Sequence, residues 1–540
     1  MIPIDIERPP IRAAAVLLAA TCIACDTDAG VVDARIEPPE ACDTETIALE
    51  LDRGEALVLP SRDTVCLELR SAPAGYAVAF ADGQWSEVAR RERSLEPSDV
   101  SRFDIAVRDL GGGEAASGVT AAPERSPDRT ANAPDFRVDI ASADHGTCDD
   151  AASGTVRCRS EPWREGERFH FSDPNVTLKF PQGDSLVEVV LVRDPFVFAV
   201  PVAADPPPSA TPRARLSEWA DGVIDEFFPL LRSALTPMTP ATSEGSGQIM
   251  VVFVEGSARR GVALNQIGPD GVSGYIALSL ELLTGPAPAA PHADVRLLGH
   301  EVTHLWQARY LWDAPSEPGE SGVPGPRRWA IEGTATWAEM EVVRRLAEYP
   351  LDGNRCDGGD DPLLDYYLRG LARSEGGLQR GYHHSMSFLH DLRVRAVAAG
   401  ATEAEALRQV MRGALEGWYG LDRTAGLRRE GLTGRMRRLI DPDWEPVEAL
   451  LTWAASAALD DRTASPVFQQ PSLCRAWDTT LGPRWGPVRV VTAGSGANAR
   501  VRGRSPGSAG YILVRPSQTA ANLVLERSVP HVRFMVARYH

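Results

Sequence analysis

The residues best suited to chemistry are two histidines and a glutamate in the short sequence His300-Glu301-Val302-Thr303-His304. They lie within residues 293–312, where apolar residues recur at helical intervals, so the sequence predicts a helix there. Histidines at positions i and i+4 of a helix project from the same face, about one turn apart. Both imidazoles can therefore reach one Zn²⁺ ion, while the intervening glutamate can act on a water molecule at that ion.

A further carboxylate follows in Trp329-Ala330-Ile331-Glu332-Gly333, which begins a second predicted helix. A Pro/Gly-rich crossover, residues 313–328, is long enough to let the two helices fold antiparallel and bring Glu332 beside the histidines. Two histidines, one carboxylate and an open fourth position form the ligand set of a catalytic zinc site. The sequence therefore predicts one Zn²⁺ per chain, held by His300, His304 and Glu332.

This combination resembles the gluzincin metallopeptidases, in which the histidine motif precedes a glutamate ligand within a Trp-x-x-Glu-Gly-x-Ala pattern. The likeness is strongest to the peptidase domains of clostridial-type collagenases and covers about residues 297–392. It is carried by Thr303, His304, Gln307, Arg309, Tyr310, Trp329, Glu332, Gly333 and Ala335. Collagenases have a helical activator domain before the motif, whereas this chain is β-rich there, so the resemblance does not extend to collagen as the substrate.

The resemblance implies roles for the matching residues. His300, His304 and Glu332 are the expected zinc ligands, and Glu301 is the expected general base and acid. A downstream Tyr or His steadies the oxyanion of the tetrahedral intermediate in this family. Tyr382 is the expected residue here, and the alternatives are His383, His384, Tyr366 and Tyr367.

A group that supports a histidine ligand is also expected near Glu332. In the family an acidic residue often lies four positions after the glutamate ligand, but Thr336 occupies that position here. Glu339, a further turn along the predicted helix, can take its place.

Peptide substrates of this clan add to an edge strand beside the zinc ion. We expect that edge at Gly274, Tyr275, Ile276 and Ala277. The M1 aminopeptidases carry a Gly-x-Met-Glu-Asn sequence there, whose Glu binds the free amine of the substrate. Residues 271–275 contain no such Glu, which favours an endopeptidase over an aminopeptidase.

Composition and charge exclude several classes of function. Acidic residues outnumber basic ones by 74 to 56, and the net charge of -18 repels nucleic acid and anionic lipid. With 43% hydrophobic and 24% charged residues, the chain is typical of folded domains rather than of a disordered protein. We therefore expect a peptide or protein substrate and no nucleic-acid partner, and the sequence leaves the oligomeric state open.

The first 25 residues have the pattern of an export signal. Arg8 and Arg12 precede an apolar stretch, residues 13–24, that is too short to span a bilayer. The stretch runs into Cys25 in a sequence that resembles a bacterial lipoprotein processing site. Either a lipid anchor on Cys25 or simple cleavage follows, and the protein is exported in both cases.

The remaining cysteines suit an oxidising compartment. Six of the eight follow Cys25, and no Cys-x-x-Cys pair occurs among them. Proximity in sequence favours disulfides between Cys42 and Cys66 and between Cys148 and Cys158, which leaves Cys356 to pair with Cys474.

The order of the predicted elements divides the chain into modules. The expected organisation is a signal peptide (1–25), a linker (26–43), a β-sandwich-like region of one or two modules (44–204), a Pro-rich linker (205–214), a zinc metallopeptidase domain (215–462) and a small C-terminal β module (463–540). The expected fold is thus multidomain, with an α+β, thermolysin-like catalytic domain whose C-terminal subdomain is helical.

The function expected from these features is an exported zinc endopeptidase. Two alternatives stay open: a surface binding lipoprotein with an inactive metallopeptidase core, and an aminopeptidase with a different amine-binding group. Asp313, Glu317 and Glu320 in the crossover offer carboxylates to Ca²⁺, although their spacing follows no regular calcium-site pattern.

Overall fold

In a computed structural model of the chain, the described residues are 46–52, 55–70, 75–82, 102–109, 161–170, 186–202, 212–235, 247–254, 261–268, 271–284, 293–312, 328–346, 382–418, 430–459, 490–493, 498–504, 509–516 and 521–538. The strands are β1 (Ile47–Leu49), β2 (Ala56–Val58), β3 (Thr64–Leu69), β4 (Tyr76–Asp82), β5 (Arg102–Asp109), β6 (Arg168–His170), β7 (Leu186–Arg193), β8 (Phe196–Pro201), β9 (Ile249–Val254), β10 (Gly261–Gly268), β11 (Gly271–Ser279), β12 (Val490–Ala493), β13 (Asn498–Arg504), β14 (Ala509–Pro516), β15 (Ala521–Arg527) and β16 (Val532–Arg538). The helices are α1 (Pro212–Gly222), a π-helical segment (Val223–Phe227), α2 (Phe228–Ala234), α3 (Glu281–Thr284), α4 (Ala293–Trp312), α5 (Arg328–Leu346), α6 (Tyr382–Ala398), α7 (Glu403–Leu415), α8 (Gly431–Leu439) and α9 (Pro446–Leu459).

Short strands from both ends of the chain form two sheets that pack face to face. One sheet has the order β1-β3-β15-β5-β13 and the other the order β12-β14-β4-β16-β2. Alternate residues of the strands face a shared apolar core, in which Leu67, Val78, Leu525 and Phe534 are buried. The alternating pattern of these segments therefore does produce a β-sandwich.

The sandwich differs from the expected separate C-terminal β module. β13 pairs with β5, β15 pairs with β3 and β5, and β14 and β16 both pair with β4. Strands from residues 463–540 thus complete sheets that strands from residues 44–109 begin. The periodicity of a segment indicates that it is a strand, but it carries no information on which distant strand will pair with it.

A second region of sheet lies near the histidine motif. Within the described residues its strand order is β10-β11-β9-β8-β7-β6. β8, β9 and β11 run parallel to one another, and β8 and β9 are buried along their whole length, as expected for strands covered on both faces. β6, β7 and β8, which the sequence grouped with the N-terminal β-sandwich-like region, therefore belong to this sheet.

The strand expected at the substrate edge, Gly274 to Ala277, is internal. It lies in β11, where Ile276 pairs with Ala263 of β10 on one side and with Val251 of β9 on the other. β10, antiparallel to β11, is the end strand among the described ones. Its sequence, Gly-Val-Ala-Leu-Asn-Gln-Ile-Gly, has glycines at both ends and a polar pair in the middle, which weakens the strand signal.

The helices surround a single apolar core that also reaches the sandwich. The segment from α1 to α2 buries Trp219, Phe227 and Leu231, as its helical spacing predicts. α9 packs on β4, β14 and β16, so that Ala79 and Met535 share one core cluster with the helical region. The architecture is mixed α/β with several sheets, in agreement with the expected α+β class, and the described residues all fall in one compact unit, Thr44–His540.

In the parts of the chain that the structure describes, no helix combines the length and the apolar character needed to cross a bilayer.

Candidate metal centre

The two histidines and Glu332 meet where α4 packs against α5. α4 also packs against β10 and β11, and it buries Val302 and Leu305 completely. His300 and His304 lie one turn apart on α4, and Glu332 lies in the second turn of α5. The structure therefore brings together the three residues that the sequence predicts as ligands.

The ligand atoms of these residues form a nearly equilateral triangle. Nε2 of His300 is 3.1 Å from Nε2 of His304, and Oε2 of Glu332 is 3.4 Å from the first nitrogen and 3.5 Å from the second. A tetrahedral ion with bonds of about 2.0–2.1 Å separates its ligands by about 3.3–3.4 Å. Two imidazoles and a carboxylate at this spacing fit Zn²⁺ in both donor type and geometry.

A protein group lies against the other nitrogen of each imidazole. Oε1 of Glu339 is 2.6 Å from Nδ1 of His300, and Oε1 of Gln307 is 2.8 Å from Nδ1 of His304. Of the two residues that the sequence offers as support for a histidine, Glu339 is the one that reaches it, while Thr336 is buried in α5. Partners of this kind fix the orientation of metal-binding imidazoles.

Gln307 also contacts the helix that carries Glu332. Its Nε2 donates hydrogen bonds to the carbonyl oxygen of Ile331, at 2.9 Å, and to Oγ1 of Thr334, at 2.7 Å. The side chain is buried, with 1% exposure. One amide thus joins His304 to the turn of α5 that contains Glu332.

The buried carboxylates favour positive charge at the site. Burial lowers the pKa of His300, but hydrogen bonds with Glu332 and Glu339 outweigh burial and hold that pKa well above its usual value. Burial likewise lowers the pKa of His304, and attraction to Glu332 more than offsets it. For Glu332 burial raises the pKa, but the two histidines outweigh this effect and hold it far below its usual value. A divalent cation bound between these residues would likewise be stabilised by the negative charge of the carboxylates.

Two glycines next to ligand residues let neighbouring elements approach closely. A Cβ on Gly299 would lie 2.1 Å from Cζ of Phe227, in the π-helical segment, and a Cβ on Gly333 would lie 2.3 Å from Cβ of Ser385, in α6. Both distances are far below van der Waals contact. A side chain at Gly299 or Gly333 would therefore push apart the elements that pack beside His300 and Glu332.

The remaining expected site residues divide into two groups. Glu301 is buried on α4, and its charge contributes to raising the pKa of both histidines, so its carboxylate lies near the ligand residues. Tyr382 is the first residue of α6, but its side chain and those of His383 and His384 lie outside the described residues. Tyr366, Tyr367 and the possible Ca²⁺ ligands Asp313, Glu317 and Glu320 lie outside them as well.

Cys66 of β3 forms a disulfide. Its partner and the other cysteines lie outside the described residues, so the expected pairings with Cys42, between Cys148 and Cys158 and between Cys356 and Cys474 stay predictions.

Sequence reasoning assigned no role at the site to Gln307, Phe227 or Ser385. A role for Gln307 could have been predicted from the sequence, because a residue three positions after His304 lies on the same face of the helix as that histidine. The contacts of Phe227 and Ser385 with distant glycines depend on tertiary packing, for which local spacing gives no signal.

No protein-family model matches the chain, and no curated protein matches it with significant similarity. The comparisons with known proteins therefore add no family assignment to the geometry described above.

Proposed function

We propose that the protein is an exported, zinc-dependent endopeptidase of the gluzincin type. The observation that carries this proposal is the convergence of His300, His304 and Glu332, whose ligand atoms lie 3.1 to 3.5 Å apart in a buried site. When bound, a Zn²⁺ ion supplies a Lewis acid that polarises a peptide carbonyl and makes water nucleophilic at neutral pH. The site has three protein ligands, which leaves a fourth position open. Structural zinc sites commonly fill all four positions with protein ligands, so this ligand set favours a catalytic zinc ion over a structural one.

Glu301 handles the proton in the proposed reaction. It lies between the two histidines in α4 and is 4% exposed, so its carboxylate is part of the buried site without belonging to the ligand triangle. It accepts a proton from the attacking water and delivers it to the leaving amine. Tyr382, at the start of α6, is the proposed donor to the oxyanion, and α6 packs against the helix that carries Glu332.

The extended substrate adds to β10 in this proposal rather than to β11. β10 is the end strand of the described sheet, it is antiparallel to β11, and α4 packs against it. A peptide paired with β10 would run beside the helix that carries His300 and His304. Pairing through the main chain accepts an extended segment from the middle of a polypeptide, as an endopeptidase requires.

Export is a further part of the proposal. The segment before Cys25 has the pattern of an export signal, and the disulfide at Cys66 supports an oxidising compartment. Cys25 is either the lipidated first residue or close to a simple cleavage site. The mass of the N-terminal peptide from the mature protein distinguishes a lipid anchor from simple cleavage, and an intact Met1 terminus would contradict export.

The experiment that tests the function combines metal analysis with peptide digestion. We expect one zinc per chain, cleavage within library peptides, and loss of cleavage in the Glu301→Gln variant with zinc retained. Zinc without any cleavage would favour the binding protein with an inactive core. Cleavage only at free N-termini, abolished by N-acetylation, would favour the aminopeptidase. Absence of zinc would contradict both the endopeptidase and the aminopeptidase.

A further inference from the structure

We infer that Gln307 is a positioning residue for the metal centre: it fixes which nitrogen of His304 faces the ligand triangle and ties that imidazole to the helix of Glu332. This inference deepens the proposed function, because it rests on the metal centre proposed there. It does not depend on peptide hydrolysis. The buried side chain of Gln307 makes three hydrogen bonds that carry this inference.

The orientation of the Gln307 amide is set by a backbone carbonyl. The oxygen of Ile331 can only accept a hydrogen bond, so the amide atom 2.9 Å from it must be the donor Nε2. Thr334 is consistent with this orientation, since its hydroxyl donates to the carbonyl of Ala330 at 2.7 Å and leaves a lone pair for Nε2. The opposite orientation would place two oxygens against each other at Ile331.

The amide orientation in turn determines the tautomer of His304. With Nε2 of Gln307 facing α5, Oε1 faces Nδ1 of His304 at 2.8 Å, and an amide oxygen can only accept. Nδ1 must therefore carry a proton. The nitrogen that remains for a metal ion is Nε2, which is the atom 3.1 Å from His300 Nε2 and 3.5 Å from Glu332 Oε2.

The same side chain sets the distance between the two ligand helices. Gln307 lies one turn after His304 on α4, and Ile331 immediately precedes Glu332 on α5. Every polar atom of the amide has a partner, and the side chain is only 1% exposed, so water does not compete for these bonds. A shift of α5 along α4 would break the bonds to Ile331 and Thr334 together with the ligand triangle.

A neutral amide is the better group at this position because the site is already rich in carboxylates. Glu301, Glu332 and Glu339 are all close enough to raise the pKa of His300. Nδ1 of His300 contacts the carboxylate of Glu339, whereas Nδ1 of His304 contacts the uncharged amide oxygen of Gln307. A carboxylate at position 307 would add another buried negative charge and would place an oxygen against the carbonyl of Ile331.

Two variants of Gln307 separate the two roles, and a third variant is the control. Gln307→Leu removes both the acceptor for His304 and the donors to α5, and Gln307→Glu keeps an acceptor but removes the donors. Thr303→Val is the matched control: it removes a buried hydrogen bond from the same helix, between Oγ1 and the carbonyl of Gly299, without touching either imidazole. Zinc affinity is measured by competition with a chelator, and ligand geometry by the visible absorption of the Co²⁺-substituted protein.

We expect Gln307→Leu to weaken zinc binding about 10- to 100-fold and to change the cobalt spectrum. Gln307→Glu should weaken binding less, and Thr303→Val should retain both the affinity and the spectrum of the wild type. Wild-type affinity and spectrum in Gln307→Leu would overturn the inference, and so would an equal loss in Thr303→Val, which would indicate a general loosening of α4. An equal loss in the Leu and Glu variants would overturn the assignment of the tautomer.

Two further outcomes keep the test decisive. If Gln307→Leu fails to fold, Gln307→Glu carries the test alone, and an unchanged affinity and cobalt spectrum in that variant would overturn the inference. If the wild type binds zinc but cleaves no peptide, the proposed function fails while the inference on Gln307 is still tested in full.

Discussion

Glu339 lies on the same helix as Glu332, and its Oε1 is 2.6 Å from Nδ1 of His300. One helix therefore provides both a ligand of the proposed metal centre and the group behind one of the other ligands. The carboxylate of Glu339 forms an ion-pair contact with Nδ1 of His300 and favours a proton on that nitrogen, which leaves Nε2 facing the ligand triangle.

Replacement of Glu339 should weaken zinc binding without removing a ligand. We expect Glu339→Leu to lower zinc affinity about 10- to 100-fold, because the His300 ring loses the group that orients it. Thr336→Val is the control, because Thr336 is buried in the same helix, between Glu332 and Glu339 in sequence. This variant should keep an affinity near that of the wild type. Chelator competition on both variants measures the difference, and equal losses would mean that Glu339 only packs.

Replacement of Glu301 should separate metal binding from catalysis. Glu301→Gln is nearly isosteric but cannot accept a proton, so we expect zinc to stay bound while peptide turnover falls about 100- to 10,000-fold. Zinc content and initial rates on the same preparation provide the measurement. Turnover close to that of the wild type would contradict the role of Glu301 even if zinc were present.

Replacement of a ligand should empty the site. His300→Ala and His304→Ala each remove one corner of the triangle and should abolish stoichiometric zinc. Glu332→Gln should weaken binding rather than only slow turnover, because a neutral amide is a poorer ligand than a carboxylate. Metal analysis after dialysis tests all three variants, and full occupancy in any of them would place the ligands elsewhere.

The histidine pair could be predicted from the sequence because both residues belong to one helix, whose geometry fixes their relation. Glu332 was harder, since a crossover separates it from the pair, and the Trp-x-x-Glu-Gly-x-Ala resemblance supplied what spacing alone did not. Glu339 was offered as a substitute for the acidic residue that the resemblance implies four positions after Glu332, where this chain has Thr336. Gln307 contributed to the resemblance but received no role, although its position three residues after His304 places it on the same face of the helix as that ligand.

The sheets were less predictable than the site. β5 lies in the expected β-sandwich-like region and β13 in the expected C-terminal β module, yet the two strands pair with each other and join segments from opposite ends of the chain. Alternating apolar residues can be buried by any strand or helix that covers their face of the sheet, so the pattern does not specify which strand will pair with them. The edge of the other sheet was misplaced for a related reason: β10, the end strand of the described sheet, has a composition that a loop could share.

Zinc binding should release protons near neutral pH. Burial lowers the pKa of His300, but hydrogen bonds with Glu332 and Glu339 outweigh burial, so the metal-free imidazole stays protonated above its usual range. Zinc requires the neutral form. Affinity should therefore rise with pH until the raised pKa of His300 is passed, and fall as the pH is lowered. Calorimetry in two buffers of different ionisation enthalpy measures the released protons, and identical heats in both buffers would contradict the prediction.

Gly333 should be intolerant of a side chain because α5 and α6 meet there. A Cβ at this position would lie 2.3 Å from Cβ of Ser385 and 3.3 Å from its carbonyl carbon, so Gly333→Ala forces the helices apart beside Glu332. Alanine gains about 1 kcal/mol in helix propensity over glycine, and overpacking of a core costs about 1–3 kcal/mol, so we expect a net loss of stability together with weaker zinc binding. Ser385→Gly removes the opposing Cβ and should restore zinc affinity when it is combined with Gly333→Ala. Urea unfolding and chelator competition on the two single variants and the double variant form a cycle that isolates the contact. Additive effects in that cycle would show that the two residues do not meet as described.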